Sequence, residues 1–251
     1  MACDFCLRLA CGLMFALLPL TPSQVNQGFY RVHFLTTLGI GIVAAVFAFQ
    51  SGIHYGTWFW LVLCASLILC SLGSLLWSLD EAPWGSVTVI ASASTLLATI
   101  GLFHWTTGTG STIGLADAYT SAALLGFAMT GMLLGHSYLV APSMSMSPLL
   151  RVLGGLAIAL AARGSLAAWT LWFWTREHYL ANVNDEVTLL LPVRWAVGLV
   201  LPLGLTLMAW QTARIRSTQS ATGILYVVVI FCFIGELVGL LLSRMSGAML
   251  S

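Results

Sequence analysis

The sequence is divided into about eight apolar runs, at residues 5–21, 33–50, 57–79, 85–103, 114–140, 149–174, 189–211 and 220–243, with short polar or Pro/Gly-containing turns between them. A helix needs roughly 20 apolar residues to cross about 30 Å of hydrocarbon, and inside a bilayer only helices and closed barrels satisfy their own backbone. Runs of this length therefore predict an all-α fold, a polytopic transmembrane helical bundle. It should have about eight helices, or seven if the first run lies at the interface. Composition agrees: 59% of the 251 residues are hydrophobic and only 7% are charged, too apolar for a soluble core of that size. Connections this short leave no room for a second domain, so residues 1–251 read as a single integral membrane domain.

The first run is the ambiguous one. Arg8 ahead of a short apolar core also begins signal peptides, but we take the run as a short first helix stopped by Pro22. The run at 189–211 contains Pro202, which removes a backbone donor and should kink the helix. Trp58/Trp60 and Trp169/Trp172/Trp174 suit interfacial belts. With eight crossings, Arg31, Arg151, Arg214 and Arg216 fall on one side, and Arg8, Arg176, Arg194 and Arg244 on the other. The tie is broken by Arg214/Arg216 in a very short loop. That pair favours a cytoplasmic location for its side and a non-cytoplasmic one for both termini, in a plasma or inner membrane.

Arg163 lies near the middle of the run at 149–174, on a stripe of small residues: Gly155, Ala159 and Ala167 recur every four positions around it. An unpaired arginine at that depth costs from about 2.5 to more than 10 kcal/mol, so it must point into the bundle and find a partner. Glu236, inside Gly235-Glu-Leu-Val-Gly239, is the carboxylate deepest in any other apolar run. At about 1.5 Å per residue the two lie at matched depth, as a buried ion pair or a proton relay. Asp117, near the start of its run, suits the positive end of a helix.

The five histidines show no metal-ligand spacing. His33 and His136 fall near the same face, and His54, His104 and His178 near the other. Two histidines at matched depth on different helices are the minimum for a bis-histidine haem b, and Gly131 and Gly135 would make room for its ring. Alternatively, His136 with Tyr138, Arg216, Gln219 and Tyr226 could line a quinone-headgroup pocket, or all of these could be ordinary interfacial polar residues. Met144-Ser-Met146 offers soft sulfur for copper(I), although two methionines in a turn more often pack the loop.

Several classes are excluded. The chain has no lysine, which removes Schiff-base chemistry and a Walker-type phosphate loop. A net charge of +1 gives no signal for nucleic acid. Cys3-Asp-Phe-Cys6 has no second pair to complete a metal site. In layout the chain resembles the membrane subunits of multi-subunit redox complexes that exchange electrons with quinone. That resemblance implies a subunit of an electron-transfer or respiratory complex contacting quinone and haem b. Its activity as an oxidoreductase would depend on other membrane and peripheral subunits. The alternatives are a small ion- or proton-coupled transporter or channel, and a non-catalytic membrane anchor.

Overall fold

A computed structural model describes residues 1–79, 84–140, 144–177 and 185–246. The acidic turn at 80–83, Pro142 and His178 lie outside the described residues. The chain is all-α: helix makes up 85% of it and no strand is present among the described residues. The helices are α1 (Ala2–Phe15), α2 (Gln27–Gln50), α3 (Thr57–Leu76), α4 (Gly85–Thr106), α5 (Thr112–Val140) and α6 (Ser147–Glu177). They are followed by α7 (Asp185–Trp195), a π turn (Ala196–Val200), α8 (Leu201–Arg214) and α9 (Thr218–Ser246). Seven spans are long and apolar enough to cross a membrane, α7, the π turn and α8 together supplying one of them. This is an integral membrane protein.

The first apolar run is neither a full crossing nor a surface helix. α1 has 14 residues, about 21 Å of helix, and packs against α2, α4 and α5. α1 is buried on nearly all sides, and its two charged residues, Asp4 and Arg8, are buried with it. α5 is the most buried of the long helices and touches α1, α6 and α9. The closest approach is between Gly12 of α1 and Gly126 of α5: a Cβ on Gly12 would overlap the carbonyl oxygen of Ala122 and lie 2.8 Å from the Gly126 nitrogen. Small residues let these backbones meet.

The break at Pro202 takes the form of the five-residue π turn that precedes it. Proline offers no N–H to the carbonyl four residues earlier, at Gly198, so the helix widens there. That turn brings Gly198 against Gly235 of α9, where a Cβ on Gly198 would lie 2.7 Å from the Gly235 Cα.

Trp58, Trp169 and Trp172 are exposed, as a belt requires, whereas Trp60 turns into an aromatic cluster with Tyr55 and Phe59. Met144 and Met146 are partly buried against the core and serve as packing.

The α1–α5 contact leaves no room for a methyl group, and the overlapped atoms are backbone. Gly12→Ala should therefore lower stability by about 1–3 kcal/mol or prevent assembly. Gly164→Ala, with nothing within 4 Å of the new Cβ, should not. Thermal unfolding of the detergent-purified variants measures this, and a Gly12→Ala protein as stable as wild type would refute the close contact.

Candidate functional site

The described charges inside the bundle form one chain of alternating sign. Arg163 of α6 grips Glu236 of α9 with two hydrogen bonds, Nε to Oε1 at 3.0 Å and Nη2 to Oε2 at 2.9 Å. Its Nη1 donates to the Asp117 carboxylate of α5. Asp117 in turn accepts from Arg8 Nη1 of α1 at 2.9 Å, and Arg8 Nε donates to Asp4 Oδ1 at 2.9 Å. At the other end Arg194 Nη2 of α7 donates to Glu236 Oε1 at 3.0 Å, and Ser121 donates to Oε2. His104 of α4 completes the chain, its Nε2 lying 3.4 Å from Asp4 Oδ1. Three guanidiniums thus meet three carboxylates. Arg163, Glu236 and Arg194 are fully inaccessible, and Arg8 is 2% exposed.

The structure brings Arg163 and Glu236 together, within a chain longer than a pair. Arg8, Asp4, Arg194 and His104 were missed as members of it. Arg8 and Arg194 are not loop charges that set topology, and Asp117 does more than complement a helix end. One sequence signal was available. Arg8 precedes Gly12, and Arg194 precedes Gly198, by four residues each, which puts charge and small residue on the same helix face, as with Arg163 and Ala167.

The chain of charges opens at one end into a cavity of about 630 Å³. Asp4, Arg8, His104 and Asp117 supply polar walls; Phe47, Tyr55, Phe103 and Leu240 supply apolar and aromatic ones. The volume suits a small organic ligand, and so does this mixture of apolar surface with a few convergent polar groups. The cavity forms where α2, α4 and α9 end and α5 begins, around the N-terminal turns of α1.

The other candidate residues do not converge. His33 is fully buried, Nδ1 paired with the Phe29 carbonyl at 3.0 Å and Nε2 with Thr130 Oγ1 at 3.2 Å. Thr130 occupies the place opposite it on α5, whereas His136 is exposed further along that helix. The space beside Gly135 is taken by Thr222, and that beside Gly131 by Val152 and Leu225. Tyr138 points inward and donates to the Ser145 carbonyl, while Tyr226 is 43% exposed on the outer surface of α9. Arg216, at φ +58°, and Gln219 lie in and beside the exposed α8–α9 turn. No group of three or more His, Cys, Asp or Glu that could hold a metal ion occurs among the described residues. No family model, curated protein or solved structure matches the chain.

Because Arg163 also holds Asp117 and Glu236 also holds Arg194, removing the central pair strands Arg194. Arg163→Met, Glu236→Gln and the double variant should all lose about 3–5 kcal/mol, the cost of an uncompensated buried charge. A double variant restored to wild-type thermal stability would mean that Arg194 finds another partner.

Proposed function

We propose that this protein is the membrane subunit of an electron-transfer complex and binds a quinone in the cavity beside His104. The observation that carries this reading is the cavity itself: an aromatic and aliphatic pocket closed on its inner side by Arg8, Asp4 and Asp117. Quinone needs an apolar cleft for its ring and tail and a few hydrogen-bonding groups for two oxygens. Arg8, His104 and Tyr55 lie in the lining and can supply donors. Both ring nitrogens of His33 are engaged, which favours quinone without haem at that position. The described chain is almost all helix, so chemistry beyond the bilayer falls to partner subunits.

The transporter alternative is less well supported. The hydrogen-bonded charges run inward from the cavity to Arg194 and Glu236, and among the described residues they do not continue to the opposite face. A coupled ion would need access from both sides.

Burial also supports one reading of the topology. With Arg8 and Arg194 inside the bundle, the exposed arginines are Arg31, Arg151, Arg214 and Arg216 on one face, against Arg176 and Arg244 on the other. The positive-inside rule then assigns the first face to the cytoplasm and the cavity face to the outside. Cysteines introduced at Ser145 and Ser217 should be labelled from the cytoplasmic side and one at Gly110 from the other. Labelling of all three from one side would overturn the arrangement.

For the ligand, the test is fluorescence titration of the nanodisc-embedded protein with a hydroxyquinoline N-oxide, a quinol analogue. Saturable binding is expected. Ser51→Trp, at the rim, should weaken it at least about tenfold, equivalent to roughly 1.4 kcal/mol, without changing the melting temperature. Absence of saturable binding, or a Ser51→Trp variant that binds equally well, would refute the quinone site.

A further inference from the structure

A second opening lies on the face that carries Arg31, Arg151, Arg214 and Arg216, opposite the cavity beside His104. It forms where α2 and α4 begin and α3 ends. Two adjoining cavities, of about 280 and 110 Å³, share Pro22, Trp77 and Ser86 as walls. Leu18, Val87 and Ile90 complete them on one side and are 42%, 52% and 56% exposed. The cleft therefore opens sideways, between side chains that face lipid.

Two polar groups in its walls lack a partner. Tyr30 is the fourth residue of α2, and Trp77 follows the last residue of α3. Their rings stack with centroids 4.1 Å apart and planes 7° apart. Gly85 leaves room for this stack, since a Cβ there would lie 2.5 Å from the Trp77 ring. Tyr30 and Trp77 are 1% and 3% exposed. Yet neither the Tyr30 hydroxyl nor the Trp77 Nε1–H has a hydrogen-bond partner among the described residues. Buried donors are almost always satisfied, and an indole can only donate. The pair thus calls for acceptor oxygens from outside the polypeptide.

Depth indicates where such oxygens come from. At about 1.5 Å per residue, Tyr30 lies about 5 Å inside the start of its span. Headgroups give way to hydrocarbon at that level, which is where a phospholipid carries its ester carbonyls. Arg151 Nη1 donates to the Pro19 carbonyl at 3.4 Å, between the wall residues Leu18 and Leu20. A cation is thereby held next to the cleft, suited to a phosphate.

We propose that this cleft binds one glycerophospholipid. Tyr30 and Trp77 donate to its ester oxygens, Arg151 faces its phosphate, and an acyl chain leaves past Leu18, Val87 and Ile90. An ordered water would satisfy the donors but would use neither the apolar wall nor the cation; the lipid uses all three. Bound there, it ties the segment after α1 to the ends of α2, α3 and α4.

The test is titration of delipidated, detergent-purified protein with dioleoyl phosphatidylglycerol, read by native mass spectrometry and thermal unfolding. One lipid should stay bound per chain, and the melting temperature should rise with lipid concentration. Tyr30→Phe removes only the hydroxyl. Without lipid it should melt at or above the wild-type temperature, because an unpartnered buried hydroxyl costs stability. Its affinity for the lipid should fall about threefold to tenfold, the loss of one hydrogen bond. Leu18→Trp, at the lipid-facing mouth, should weaken binding at least as much, and it serves if Tyr30→Phe does not fold. No retained lipid, or an unchanged affinity in either folded variant, would overturn the proposal and leave the donors to water. Displacement of the phospholipid by the hydroxyquinoline N-oxide would also overturn it, by assigning the cleft to quinone. The cleft and the cavity beside His104 lie on opposite faces, so failure of one site does not imply failure of the other.

Discussion

The interior of this bundle is organised by the cost of burying charge. An ion moved out of water into a low-dielectric core loses several kcal/mol even after relaxation, and recovers it only from close partners of opposite sign. Three arginines and three carboxylates meet that condition by alternating along one hydrogen-bonded line through five helices. No two elements of that line can shift apart without exposing a charge to hydrocarbon. α1, α5, α6, α7 and α9 are thereby fixed in register where apolar packing alone would tolerate sliding.

That line also explains why the first helix is short and central. α1 carries Asp4 and Arg8 on the turns that meet α4 and α5, and Gly12 further along where the α5 backbone comes closest. A helix about 21 Å long cannot reach both faces of a bilayer. Beside its N-terminal turns, where longer helices rise past it, lies the cavity. Fold and candidate site thus share one cause: the same charged turns hold α1 in the bundle and form the cavity's inner wall.

The two glycine contacts serve one purpose at two places. Gly12 and Gly126 let α1 lie against α5. Gly198 and Gly235 do the same beside Arg194, whose Nη1 would lie 2.8 Å from a Cβ on Gly198. Between them, they admit guanidinium groups into a helix packing that larger side chains would hold open.

Sequence alone determined the class of fold, because hydrocarbon thickness and backbone hydrogen bonding leave an apolar run of about 20 residues few alternatives. It also determined that Arg163 faces inward and that Glu236 is at its depth, since helix rise and the energy of a bare charge do not depend on the neighbours. It misplaced Arg8 and Arg194, because an arginine near the end of an apolar run reads equally well as a loop charge or a buried one. Only the insertion of α1 and the π turn before Pro202 decided between them. Nor could it find His104, which reaches the charged line at Asp4, a residue distant in the chain. Local spacing records which face of a helix a side chain shares. Which helices then face one another is decided by packing in three dimensions, and the site belongs to that packing.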